Sequence, residues 1–164
     1  MVLCTVGTHE DPFDRLLAEL DRLKLAGELD DEVIVQSGWS TYDAKACTLH
    51  KQLPFDELQQ LMADARIVIT HGGPATIMQV LAHGKVPVVV PRQSGFGEHV
   101  DDHQCRFAER ISDRVLVVMD IADLGPTLAH HAELAAGLPA NEGGRERAVA
   151  FAAKLDALCG DLLG

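Results

Sequence analysis

Several features that would settle a function quickly are missing from this chain of 164 residues. It has no basic surplus. The formal net charge is −11, which excludes a nucleic-acid face built on clustered Lys and Arg and electrostatic attachment to an anionic membrane. No apolar run approaches the ~20 residues that cross a bilayer, so no direct membrane insertion is expected. The first fifteen residues carry Asp and Glu without the basic start of a secretion signal, and a cytoplasmic location is expected. Cys4, Cys47, Cys105 and Cys159 are far apart and form no Cys-x-x-Cys. Reduced core or helix positions fit them better than a disulfide framework or a metal site. Aromatic residues make up only 4 %, with Trp39 and Tyr42 the sole Trp and Tyr.

What is present is alternation of strand-like and helix-like segments. β-branched runs predict strands at 2–7, 32–36, 67–70, 86–90 and 115–118, with a short one near Cys47–His50. Between them the apolar spacing predicts helices at 12–26, 55–65, 75–83, 101–112 and 121–136, the last with Leu124, Leu128 and Leu134 inward. A loop follows from Gly137 to Gly144, then a final helix over 145–158. Strands alternating with helices mean an α/β fold with a doubly wound, Rossmann-like parallel sheet. The length allows one good core, so residues 1–164 read as a single nucleotide-sugar-binding domain once the motifs below are considered.

The richest stretch is Ile67-Val68-Ile69-Thr70-His71-Gly72-Gly73-Pro74-Ala75-Thr76-Ile77-Met78-Gln79. A buried strand ends at a histidine, two glycines turn the chain, and a helix begins. Glycines let a ligand approach the backbone, and the first N–H groups of the helix are unpaired donors at its positive end. Such a turn binds phosphate; an ordinary strand–helix turn has the same outline. The turn is expected to be exposed, so that His71→Ala would leave the fold intact. With so acidic a chain, a diphosphate is left with this helix end, His71, and Lys85 or Arg92. A second strand, 86–90, delivers the polar loop Arg92–His99 to the same sheet edge, followed by Val100-Asp101-Asp102-His103-Gln104. Ligands of open α/β sheets bind outside the carboxyl ends of the strands.

The block from His71 to Gln104 resembles the donor-binding half of inverting glycosyltransferases of the GT-B fold, the family 28 C-terminal domain. It carries His71 with its glycines, Gly84-Lys85-Val86-Pro87 and His103-Gln104 at matching spacing. The start, Val6-Gly7-Thr8-His9-Glu10-Asp11-Pro12-Phe13-Asp14-Arg15-Leu16-Leu17, resembles a narrower group: the catalytic subunits of two-part transferases. That group includes the subunit that adds the second N-acetylglucosamine to dolichol-linked sugar and bacterial PssE-like polysaccharide enzymes. Gly97–Gln104 is most similar to the bacterial branch. The resemblance covers roughly residues 1–118. It implies a hexosyltransferase that uses a UDP-sugar as substrate, without a cofactor, and a lipid-linked or polysaccharide-precursor acceptor. It also implies a membrane-anchored, Rossmann-like partner subunit carrying the acceptor half, because the chain starts directly with the strand at 2–7. Alone, the chain could form a homodimer.

The resemblance assigns roles by position. His71, Gly72, Gly73, Ala75 and Thr76 would hold the donor diphosphate. Gln79 stands where the family usually has a glutamate on the ribose hydroxyls; an amide offers one neutral acceptor and one donor instead of a carboxylate. Gln36, Ser37 and Gly38 would receive the base, or simply close a strand. Glu98, His99, His103 and Gln104 would face the donor sugar. His9 is the candidate catalytic base, since imidazole titrates near neutrality; the alternative is a plain strand–helix turn with Thr8 or Asp11 as cap. Trp39 and Tyr42 serve a ligand, a partner or the core. His99 and His103 are four apart, yet Asp101 or Asp102 is a natural N-cap, which leaves His99 in the preceding loop. No Asp-x-Asp pair exists, so no metal is expected. Two other readings share the motifs: a nucleotide-sugar epimerase or hydrolase half, and a non-catalytic interaction protein that keeps the fold.

Overall fold

Short β-branched segments build the sheet, and the helices between them close both faces. The computed structural model describes residues 1–139; the helix expected over 145–158, and Cys159, lie outside the described residues. Six strands, β1 (Val2–Thr5), β2 (Val33–Gln36), β3 (Thr48–His50), β4 (Ile67–Thr70), β5 (Val88–Val89) and β6 (Leu116–Val117), form one sheet in the order β3-β2-β1-β4-β5-β6. Every pairing is parallel. The helices are α1 (Asp14–Leu25), α2 (Phe55–Asp64), α3 (Pro74–Ala82), α4 (His103–Arg110), α5 (Leu124–Ala129) and α6 (His131–Ala136).

Alternation along each strand sorts the core into two layers. Val2 and Cys4 of β1, Ile67 and Ile69 of β4, and Val88 of β5 pack with Leu16, Leu17, Leu20 and Leu23 of α1 and with Leu124 and Leu128 of α5. Leu3 and Val68 point the other way, to Met62 of α2 and Val80 of α3. Val89 joins Ile77 and Leu81 of α3 and Ala108 of α4. Each such leucine, taken from water to full burial, contributes roughly 1.5–3 kcal/mol. Among the described residues no helix is long and apolar enough to cross a membrane.

Two carboxylates of α1 fix the loop between β2 and β3. Asp14 accepts from the amides of Thr41 and Tyr42. Fully buried Asp21 accepts from the amides of Lys45 and Ala46 and from the Tyr42 hydroxyl. Tyr42 is thereby spent on the core.

The elements depart from the sequence reading in three places. The strand expected at 86–90 shrinks to β5, because Pro87 and Pro91 bracket it and carry no N–H. The helix expected at 101–112 starts at His103, since Asp101 and Asp102 are used as turn acceptors for the amides of His103 and Ser94. The helix expected over 121–136 is broken. A 3₁₀ turn at Ile121–Asp123 leads into α5, and His130, with φ −104° and ψ 15°, separates α5 from α6. Leu134 therefore turns outward, 43 % exposed, while Leu124 and Leu128 are buried as expected.

Candidate functional site

The strand order reverses between β1 and β4, and the loops after these two strands meet at the carboxyl edge, the usual ligand position of such sheets. The imidazole of His71 lies between two glycines. A Cβ on Gly7 would come within 2.6 Å of the ring, and one on Gly73 within 2.2 Å of Nε2; Gly7 also has φ +76°. Gly72 packs against Gln104 in the same manner, 2.6 Å from where its Cβ would be. These glycines are therefore needed first by the protein's own side chains. The sequence reading gave them to a ligand and placed His71 in an exposed turn. Instead His71 is only partly exposed, with Nδ1 buried, and burial, followed by the Arg92 cation, pushes its pKa from 6.5 down to about 4. Near neutral pH it is an uncharged imidazole.

α3 begins just beyond. Gly73 is its N-cap, no side chain caps it, no acidic residue sits in its first turn, and Pro74 occupies the first position. Ile77 N bonds the Gly73 carbonyl, so the amides of Ala75 and Thr76 remain as the free donors of the first turn. The amide of Gly72 is not one of them: it donates to Gln104 Oε1 at 3.1 Å. Gln104 Oε1 also accepts from Arg92 N at 3.2 Å. So Gln104 ties the turn after β4 to the loop after β5, a bracing place rather than the open one expected beside the sugar.

Arg92 is the keystone of that second loop. It is 0 % exposed. Its guanidinium donates to the carbonyls of Val6, Asp11 and Glu98 at 3.0, 2.7 and 3.1 Å and lies over the Phe13 ring. Glu98, expected at the sugar, is likewise engaged. Its oxygens accept from Arg15 Nε and Nη2 at 2.8 and 2.9 Å and from the Gln93 amide at 3.0 Å, and it is 3 % exposed. A carboxylate gripped from both sides by a fork braces the loop and has little left for a hydroxyl. Lys85 is at the wrong end for a diphosphate. Its ammonium donates to the Ala65 carbonyl, before β4 begins.

Three histidines gather at the rim. His9 and His99 have ring centroids 4.2 Å apart, and His99 and His103 4.5 Å apart, edge to face. His9 Nδ1 is 3.2 Å from the Asp11 amide and 3.5 Å from its carboxylate, so Asp11 occupies Nδ1 and leaves Nε2 to a ligand. His103 Nδ1 is 2.6 Å from Asp101 Oδ1. Burial, then the neighbouring His9 and His103, hold His99 below its ordinary value.

On the β2 side, Gly7, Thr8, Gln36, Gly38, Trp39, Lys51 and Gln52 line a cleft of about 570 Å³. Trp39 is 56 % exposed, with the Lys51 ammonium 5.3 Å from its ring centre. Ser37 is buried behind it. Gly38 packs on the Gly7 carbonyl, which a Cβ would approach to 2.7 Å. Gln79 sits half-buried on the second turn of α3.

One property unites the edge. Among the described residues, the buried side-chain nitrogen and oxygen atoms without a hydrogen-bond partner are Gln36 Oε1, Thr70 Oγ1, His71 Nδ1 and Arg92 Nε. All four belong to the ends of β2 and β4 or to the segment leaving β5. An orphaned buried polar group costs ~1–3 kcal/mol, and such groups call for an explanation that a bound polar ligand would supply.

The family model of the glycosyltransferase family 28 C-terminal domain matches residues 1–131. The chain belongs to that family. Two solved glycosyltransferases resemble this family 28 domain in fold. The glycotransferase of kitacinnamycin superposes with a TM-score of 0.61 at 18 % identity, covering 88 % of this chain and 38 % of that one. CalG4, the calicheamicin glycosyltransferase, does so with 0.63 at 13 % identity, covering 99 % and 44 %. The chain thus spans less than half the length of either, and at these identities the likeness speaks for the Rossmann-like, GT-B architecture alone. No curated protein matches the sequence.

Sequence reasoning missed the part played by Thr70, Lys51 and Gln52, and the bracing by Arg15. Thr70 had a signal, a hydroxyl closing an otherwise aliphatic strand. Arg15 had none, because its partner Glu98 is 83 residues away.

Proposed function

We propose that this chain is the donor-binding half of an inverting, metal-independent glycosyltransferase that moves a hexose from a UDP-sugar to a lipid-linked or polysaccharide-precursor acceptor. The observation that carries the reading is the set of four orphaned buried polar atoms along the carboxyl edge of the sheet, an edge that also holds the uncapped N-terminus of α3. The diphosphate takes the amides of Ala75 and Thr76, with neutral His71 as a further donor. The nucleoside takes the cleft between Gln36, Trp39 and Lys51, and Gln79 reaches the ribose. His99 and His103 face the sugar.

In the reaction the acceptor oxygen forms a bond to the anomeric carbon as the bond from that carbon to the diphosphate oxygen breaks. The hydroxyl proton passes to the His9 imidazole. Asp11 holds the ring through Nδ1, by its amide at 3.2 Å and its carboxylate at 3.5 Å, and that carboxylate stabilises the imidazolium formed as the proton arrives. Charge grows on the departing diphosphate, where fixed backbone donors lower the barrier without reorganising. The acceptor site belongs to a second, membrane-anchored Rossmann-like subunit, which brings the acidic chain to the cytoplasmic face. The chain alone then binds donor weakly and transfers nothing.

The test is an assay of the purified chain with a UDP-sugar and a lipid-linked or short glycoside acceptor, with and without the partner. Turnover only with the partner is the expected result. Robust turnover by the chain alone would overturn the two-part reading, and absence of UDP binding would overturn the donor-half reading itself.

A further inference from the structure

The histidine rim has a second capacity that glycosyl transfer does not use. His99, Asp101 and His103 each present one ligand atom, and these three atoms lie within 4.8 Å of one another. From this geometry we infer that they form a binding site for a late first-row divalent ion such as Zn²⁺, Co²⁺ or Ni²⁺.

The chemistry of the donor set selects the ion. Two imidazoles and one carboxylate suit zinc and its neighbours, whereas Mg²⁺ and Ca²⁺ take oxygen ligands. A tetrahedral ion with bonds of ~2.1 Å places its ligand atoms about 3.4 Å apart. In the ion-free site Asp101 and His103 are closer than that, at 2.6 Å, and the set as a whole spans up to 4.8 Å, so an ion must spread the one pair and bring it nearer His99. Asp101 and His103 are about half exposed, 53 % and 47 % at the side chain, so both have room to draw in. His99 is the fixed member. It is 10 % exposed, its Nδ1 accepts from the Val100 amide at 2.9 Å, and the His9 ring stacks on it. Its Nδ1, 4.0 Å from Asp101 Oδ1, carries the lone pair that an ion would take in place of the Val100 amide. Asp101 Oδ1, 2.6 Å from His103 Nδ1 and 4.0 Å from His99 Nδ1, already lies between the two rings. Three protein ligands leave the fourth position open, the pattern of an accessible rather than a structural site.

The sequence reading discounted this site because His99 falls in the loop before α4 and not one helical turn below His103. The loop itself folds His99 back against His103, which spacing on a helix could not reveal. An ion here would sit on the two histidines assigned to the donor sugar. Its occupancy would therefore compete with the sugar and restrain transfer in zinc-rich conditions. That consequence rests on the proposed function; the binding does not.

The test is calorimetric titration of the full chain with Zn²⁺, and absorption spectroscopy with Co²⁺, without nucleotide or acceptor. One ion per chain with a visible Co²⁺ d–d band is expected. His103→Ala and Asp101→Asn, both at exposed positions and safe for folding, should each weaken binding by more than about tenfold. The control His83→Ala/His130→Ala should bind like the parent, and Mg²⁺ should not compete. No binding, binding unchanged in His103→Ala, or binding lost in the control would overturn the site while leaving the donor-half reading untouched.

Discussion

The two ends of the sheet are built on opposite terms. At the amino ends of the strands the charges are paired. The Met1 amino group is 3.3 Å from Asp31, Arg66 grips the same carboxylate, and Lys85 reaches the Ala65 carbonyl. At the carboxyl ends, Arg92 and Glu98 are locked into the framework, yet Gln36, Thr70, His71 and Arg92 each leave a buried atom without a partner. One sheet thus has a closed end, with its charges held, and an open end, with buried polar atoms left unpartnered. Stability that could have been gained at the open end is forgone, as is common where a protein must bind.

The largest effect should come from the brace of the open end. Arg92→Leu leaves the carbonyls of Val6, Asp11 and Glu98 unpaired and breaks a buried charge network, and should cost about 3–5 kcal/mol in chemical denaturation. A loss under about 1 kcal/mol would mean that the guanidinium does not hold the edge together.

His71 comes next, and it tests both sides of the contrast. With its ring wedged between Gly7 and Gly73, His71→Ala should cost about 2–3 kcal/mol of stability, contrary to the exposed turn expected from sequence. Per folded molecule it should also weaken UDP binding by about 1.5–3 kcal/mol in calorimetric titration. The imidazole makes stability pH-dependent. Its folded pKa of about 4 lies below the ordinary 6.5, so between these values the unfolded chain takes up a proton that the folded chain refuses. Stability from this group is therefore complete above pH 6.5, falls as the pH drops towards 4, and levels off below, a total of about 3 kcal/mol. His71→Asn should flatten that part of the profile in denaturation measured across pH 4–7. An unchanged profile would place the ring in water.

These outcomes bear on how much the residues disclosed by themselves. The alternation of β-branched runs with helical spacing was enough for the parallel sheet, and the turn at 70–76 was visible because a strand, two glycines and a proline are local signals. The glycines' actual partners were not visible, since His71 packs on Gly7 at a sequence separation of 64 and Gln104 on Gly72 at one of 32. The same holds for Glu98 and Gln104. A carboxylate and an amide in a polar loop read as ligand groups until Arg15 and the Gly72 amide are brought to them by the fold. The break at His130 was equally hidden, because the leucine spacing through 124–134 continues across it.

A smaller change is expected at the ribose. Gln79→Glu should keep or tighten UDP binding and Gln79→Leu should weaken it by about 1 kcal/mol. Equal affinity in all three would remove Gln79 from the open end. The smallest effect belongs to the closed end. Arg66→Ala breaks a half-exposed pair with Asp31 and should cost less than about 1 kcal/mol, with UDP affinity unchanged; a weakened affinity would erase the contrast between the ends.

The contrast is tested most directly by titrating the isotope-labelled chain with UDP and following backbone amide resonances by NMR. Saturable shifts are expected at Gly7, Gln36, Gly73, Ala75 and Thr76, with little change at Asp31, Arg66 and Lys85. Shifts confined to the closed end, or none that saturate, would contradict the account.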